Sequence, residues 1–458
     1  MVSVETYEDW LQNASESDLR TGASRWQDDD SSEGFDYRVI RARLEELVAI
    51  RAKSDSLRLK YYFDEGLHGN MGGMGAGALY KHAASGTKKL ITDYIQEIAN
   101  GLEDLADTAK STLSLQEKKF FFQRAKQAFG ECALMLSGAG SMGPFHLGVA
   151  RALWKEDLLP RVISGSSAGA IIAAILCSHS DEALSDILDS KRLQETFKRL
   201  YTPEDGQQLT AQDIKVIIET WVPDVTFEEA LQLSGRHLNV SISPSEIHQQ
   251  SRTLNPVTAP NVLLKEALMA STAVPGVLPP VTLSARDHKG KRQPYVRSRK
   301  WVDGSITDDL PTARLRRIYG CNFFITSQTN PIVLWALNDP DATDHISRMI
   351  SIGQSAAKEW FKAVYPFAVE ATRALYPINM MTRMWFSMLT QDYTGDVNIM
   401  PDRRFVDPTT ILAKIPPIQA LELVQEGERA AWPTIERIHN CTLVGRKLDK
   451  IIERIGEP

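Results

Sequence analysis

A serine stands between two glycines, each two positions away, in Gly165-Ser166-Ser167-Ala168-Gly169. The spacing GxSxG arises by chance in roughly one chain in seven of this length, so its setting must carry the reading. A strand-like run, "RVISG", leads into it, and an apolar helix-like run over 167–178 leads away. A strand–turn–helix of this kind puts a serine hydroxyl above the edge of a sheet. Glycine at positions 165 and 169 lets the backbone pass close by, and the helix N-terminus favours developing negative charge. Ser167 is therefore the candidate nucleophile, with Gly165 and Gly169 shaping its turn.

Just upstream, "LSGAGSMGPFHLGV" over 136–149 is a second strand–glycine loop–helix unit. Its Gly138-Ala139-Gly140-Ser141-Met142-Gly143 fits GxGxxG and so admits a dinucleotide site. The acidic residue expected about 20 positions further on is not convincing there, because the serine turn occupies that place. The other reading is an anion-stabilising loop, in which backbone N–H groups of Gly138, Ala139 and Gly140 face a carbonyl oxygen as it turns negative. Two such units in tandem bring both loops to the same carboxyl edge of a parallel sheet.

A nucleophilic serine needs a proton acceptor. The histidines beyond residue 303, His345 and His439, lie in helical surroundings rather than at a strand end. Asp303 in "RKWVDGSITDDLP" follows a strand-like "KWV" and precedes a glycine that permits a tight turn, which aims the carboxyl outward. Asp303 is thus the better candidate, although Asp-Gly turns without chemistry are common. No His/Cys group has metal-ligand spacing, so no metal and no cofactor is expected.

The elements that must position these residues fall into three regions. Residues 1–128 read as a helical, charged extension interrupted by "GLHGNMGGMGAGALY", which we take as a flexible connection. Residues 129–335 alternate apolar strands ("CALMLSG", "RVISG", "HLNVSIS", "CNFFITSQ") with helices, predicting an α/β class built on a mostly parallel sheet flanked by helices. Residues 336–458 read as mainly helical again.

Composition narrows the function classes. The chain has 458 residues, a net charge of −6 and no long basic run, which argues against nucleic acid. Four scattered cysteines read as buried small hydrophobes in a reducing compartment. The acidic N-terminus lacks the layout of a signal peptide. The longest strongly apolar stretch falls well short of the roughly 20 residues of a spanning helix. A cytoplasmic location is expected. The stretch 355–390 interleaves Trp360, Phe361, Tyr365, Trp385 and Phe386 with Lys358, Lys362, Arg373 and Arg383. It reads either as core or as a helix bedded in a lipid surface.

Taken in order, several segments resemble the patatin-like acyl hydrolases, in the branch that holds triacylglycerol lipases with a helical N-terminal extension. They are "GTKKLITDYI", "LSGAGSMGPFHLGV", "LLPRVISGSSAGAI", "LKEALMASTAVPGVLPP", "WVDGSITDDLP" and "FITSQTNP". The resemblance implies a three-layer α/β/α fold and a Ser167–Asp303 dyad working through an acyl-serine. It also implies an oxyanion loop at Gly138, Ala139 and Gly140. The implied substrate is a fatty-acyl ester, triacylglycerol or phospholipid, met at a membrane or lipid-droplet surface. Met142 stands where many patatins carry a basic residue. The alternatives are acyl transfer from the same acyl-serine and a non-catalytic lipid- or nucleotide-binding protein.

Overall fold

Alternate residues of one apolar run face opposite sides of a sheet, and the run Ala133–Leu136 shows both faces covered. Leu134 and Leu136 join one buried cluster, Ala133 and Met135 another. The computed structural model describes residues 5–200, 207–246, 251–275, 277–305, 308–330, 395–402 and 412–456. The aromatic and basic stretch 355–390 and His345 lie outside the described residues.

The strands are β1 (Glu131–Leu136), β2 (Val162–Gly165), β3 (His237–Pro244), β4 (Arg252–Leu254), β5 (Ser284–Arg286), β6 (Arg292–Pro294), β7 (Trp301–Asp303), β8 (Cys321–Ser327) and β9 (Val397–Ile399). Seven of them form a sheet in the order β4-β3-β2-β1-β8-β9, with β7 also paired to β3. From β3 through β9 the neighbours are parallel, while β4 and β7 run antiparallel to β3. β5 and β6 make a separate hairpin. The fold is the expected mostly parallel sheet flanked by helices.

Within the region read as mainly helical, Val397 and Ile399 place a short strand of this sheet, β9. Three residues are too short to show a period of two. The glycine-rich segment corrects one expectation. Leu67, Met74, Leu79 and Tyr80 are buried, and short 3-10 turns occupy Met71–Gly73 and Gly77–Tyr80. Apolar side chains spaced through the glycines pin it to the core.

In the extension, α1 (Tyr37–Ala52), α2 (Lys89–Ala106) and α3 (Leu115–Phe129) share a core of Leu47, Ile98 and Phe122 with residues from the far end of the chain. In the sheet region, α4 (Gly143–Lys155) follows β1, α5 (Ala168–Cys177) follows β2, and α6 (Ala211–Trp221) and α7 (Leu264–Ser271) lie further on. Last come α8 (Pro417–Ala431) and α9 (Ile435–Gly456), and Leu448 and Ile451 of α9 close the core of the extension.

α8 crosses α4 so closely that neither helix has room for a side chain at the crossing. A Cβ on Gly148 would sit 1.9 Å from the Val424 carbonyl oxygen, and one on Gly427 would sit 2.1 Å from that of Phe145. Beside the crossing, Glu428 pairs with Arg151 at 3.2 Å and with Lys155 at 2.9 Å. Gly427→Val should therefore destabilise the protein by about 3 kcal/mol, at the upper end of overpacking effects. Gly22→Ala, at a left-handed turn with open space around it, should cost only about 1 kcal/mol. Urea denaturation of the two variants checks the difference.

Candidate active site

The sheet register explains why Ser167 and Asp303 meet. Strand β3 pairs with β2 as far as Val240 and with β4 from Val240 to Ile242. Ile242 also pairs with Asp303 of β7, so β4 and β7 occupy opposite edges of β3. β7 therefore runs in the lane that β2 leaves at Gly165, arriving head-on at the turn where β2 ends. The Asp-Gly turn that follows lies tight on β3, because a Cβ on Gly304 would stand 2.3 Å from the Ser241 carbonyl.

At the turn, Ser167 has φ 52° and ψ −127°, a conformation that costs a residue with a side chain about 1–3 kcal/mol. The flanking glycines make it possible. A Cβ on Gly165 would lie 2.4 Å from the Gly169 carbonyl oxygen, and one on Gly169 the same distance from that of Ser137. The Ser167 amide donates to the Ser271 hydroxyl at 3.0 Å, which in turn donates to the Ser241 carbonyl at 2.8 Å. The turn is thereby braced from α7 and β3. Ser167 precedes α5, so its hydroxyl sits at the positive end of that helix.

Asp303 is almost wholly buried and accepts a hydrogen bond from the Ser167 hydroxyl. Burial pushes its carboxyl up to about 6, against hydrogen bonds from the Ser305 amide and from the Ser305 and Ser167 hydroxyls that favour the charged form. The Ser305 amide lies 2.8 Å from Oδ1. A carboxylate held this way is a stronger base than a solvated one, yet remains ionised near neutral pH.

Gly140, with φ +53°, forms the tip of the upstream loop, and with Ser141 and Ser167 it lines one narrow cavity of about 80 Å³. The rest of the wall is apolar, including Leu147, Ile171, Ile175, Ile214, Trp221 and Ile415. Gly138 and Ala139 lie beneath the tip. The Gly138 amide is already committed, donating to the carboxyl of Asp309 at 2.8 Å. Its part is to hold the loop rather than to face a ligand. A buried carboxyl in that place is also a poor neighbour for a pyrophosphate, which disfavours the dinucleotide alternative. The segment "ALMASTAVPGVLPP" supplies Thr272 to this cavity, while Ala267, Leu268 and Ala270 pack in the core.

Sequence reasoning passed over His146, which is fully buried under the loop. Its Nε2–H donates to the Ser137 carbonyl at 3.0 Å, and its Nδ1 accepts from the Ser327 hydroxyl at 2.7 Å. Burial pushes the ring down to about 4, so it is a neutral strut between the ends of β1 and β8. It also missed Asp309 and Ser271. Only their closeness to the motifs in sequence hinted at a role.

Fold and site together define an α/β protein in which a serine on a strained strand–helix turn faces a buried carboxyl at the mouth of an apolar cavity. Residues 134–316 match the model of the patatin-like phospholipases, and residues 1–127 match a domain of unknown function, DUF3336. Triacylglycerol lipase ptl3 of Schizosaccharomyces pombe is 30% identical over 98% of this chain and 96% of its own length. Triacylglycerol lipase ptl2 of the same yeast is 30% identical over 98% of this chain and 73% of its own length. A patatin-like phospholipase domain-containing protein of Cryptococcus neoformans is 31% identical over 97% of this chain. The chain spans about half the length of that relative, 53%. The chain belongs to the patatin-like phospholipase family.

The hydrogen bonds on Asp303 give a titration prediction. Ser305→Ala removes a hydroxyl donor to the ionised carboxyl, so the Asp303 pKa should rise above the wild-type value near 6. Carboxyl-carbon NMR of aspartate-labelled protein, assigned with Asp303→Asn, checks the direction.

Proposed function

We propose that this chain hydrolyses fatty-acyl esters through an acyl-serine on Ser167. The observation that carries this reading is the bond between a strained Ser167 hydroxyl and the buried Asp303 at the end of an apolar cavity. Asp303 takes the hydroxyl proton as Ser167 Oγ attacks the ester carbonyl carbon. The carbonyl oxygen becomes an oxyanion, met by the loop tip at Gly140 and by the N-terminus of α5. Collapse of the intermediate expels the alcohol, which receives the proton from Asp303 and leaves the acyl group on Ser167. Water then repeats the sequence, its proton passing to Asp303 and on to Ser167 as the fatty acid departs.

The cavity suits the first methylenes of an acyl chain, and names such as triacylglycerol lipase among the relatives support an acylglycerol substrate. A lipid surface is the proposed meeting place. It is supported by the apolar cavity and by the aromatic and basic composition of 355–390. Among the described residues no helix is long and apolar enough to cross a membrane.

Ser167→Ala and Asp303→Asn should each lower hydrolysis of an emulsified triacylglycerol by about a thousandfold or more. A serine-directed fluorophosphonate should label the wild type at Ser167 and leave Ser167→Ala unlabelled. His439→Ala should stay within about twofold of wild type, and a dead variant would restore a histidine to the mechanism. Because Asp303 acts in its ionised form, kcat/KM should rise with pH through a midpoint near 6 and then level off.

Turnover should also climb once a long-chain substrate forms an emulsion, since each CH₂ of a bound chain adds about 0.8 kcal/mol of burial. Replacing Trp360, Phe361 and Trp385 by serine should abolish co-floatation with lipid while hydrolysis of monomeric esters persists. Equal turnover of dispersed and aggregated substrate would remove the surface from this reading.

A further inference from the structure

Asp309 is 1% exposed, and the mechanism above gives it no role. It belongs to the segment that follows β7, yet its partners come from three other places on the carboxyl edge of the sheet. Its Oδ1 accepts the Gly138 amide at 2.8 Å, at the start of the loop after β1. The same oxygen accepts the hydroxyl of Ser166, the residue before the candidate nucleophile on the turn after β2. The Asn330 side chain, in the loop after β8, bonds to the Asp309 carboxyl as well.

We propose that Asp309 is a positioning residue whose carboxyl ties the anion-stabilising loop to the serine turn and so sets the distance between the oxyanion donors and Ser167 Oγ. The inference rests on the acyl-ester reading of the site and adds a part to it.

The physical case is geometric. The loop after β1 and the turn after β2 end adjacent strands, but the last ladder pair between those strands is Leu136 with Gly165. Beyond it, one backbone bond, from the Ser166 amide to the Leu136 carbonyl at 3.2 Å, links them. A single such bond acts as a hinge. A buried acceptor that reaches Gly138 on one side and Ser166 on the other turns the hinge into a triangle. Oxyanion donors gain their effect from being fixed before charge develops, and a misplacement on the order of 1 Å can cost a hundredfold. Burial pushes the Asp309 carboxyl up to about 7. Oδ1 serves as acceptor in either protonation state, because a proton can rest on Oδ2. Asparagine keeps that acceptor and the shape of the side chain, and leucine keeps only the volume.

The test compares Asp309→Asn and Asp309→Leu with wild type in ester hydrolysis and in fluorophosphonate labelling of Ser167. Asp309→Asn should retain kcat within about threefold. Asp309→Leu should lose about a hundredfold in kcat with KM within about threefold, and its labelling should slow in parallel. A carboxyl that served folding alone would instead lower activity only in proportion to the folded fraction seen by circular dichroism.

If Asp309→Leu does not fold, Ser166→Ala and Asn330→Ala remove one tie at a time, and each should lower kcat by about tenfold with KM unchanged. Wild-type kcat in both of those variants, or in a folded Asp309→Leu, overturns the proposal. Loss of kcat in Asp309→Asn equal to that of the leucine variant also overturns it, since the acceptor would then not be what matters. A wild type that neither labels nor hydrolyses any ester defeats the acyl-ester reading itself, a result distinguishable from all of these.

Discussion

The close approach of three backbone segments at the end of β2 is the constraint on which the site depends. Gly165, Gly169 and the carbonyls of Leu136 and Ser137 lie so near one another that no Cβ fits between them. The chain can turn from strand to helix within two residues, Ser166 and Ser167, only because those side chains are absent. That abrupt stop empties a lane beside β3, and β7 fills it from the opposite direction. Ser167 and Asp303 are thus neighbours through sheet pairing, not through side-chain reach. The strain at Ser167 is offset by bonds from its own amide to Ser271 and from Ser271 to β3.

In the proposed reaction this carboxyl takes the part an imidazole would otherwise play. In water an aspartate near pKa 4 is a feeble base. Here desolvation raises it, while two hydroxyls and one amide stop the rise at about 6. The balance matters more than either effect. Burial favours the neutral acid, and the donors favour the ionised form. Asp309 lies within the field of Asp303, is buried as deeply and is raised further, to about 7.

How much of this was legible in the sequence depended on whether the constraint was local. The strands around the site were readable because each is a short apolar run stopped by glycine, as in "CALMLSG" and "RVISG". Ser167 and Asp303 sat in turns with recognisable chemistry. β9 was not readable, because three residues carry no period. The glycine-rich segment 66–80 was misread for a different reason. Glycine content signals freedom, but Met74, Leu79 and Tyr80 bury themselves and remove it. Asp309, Ser271 and His146 act through partners 30 to 181 positions away, a distance no local pattern encodes.

The same long-range logic reaches past the site. The loop that carries Gly140 leads directly into α4, so the position of that helix sets the position of the loop. Behind α4 lies α8, at a separation fixed by Gly148 and Gly427, and α8 leads through a 3-10 turn into α9. α9 is in turn held by the extension through Leu448 and Ile451 and by Lys126, which bridges Asp449 to Glu131 at the foot of β1. A continuous packed path therefore joins the first 128 residues to the loop that carries Gly140, and α4 brings it to the cavity wall at Leu147.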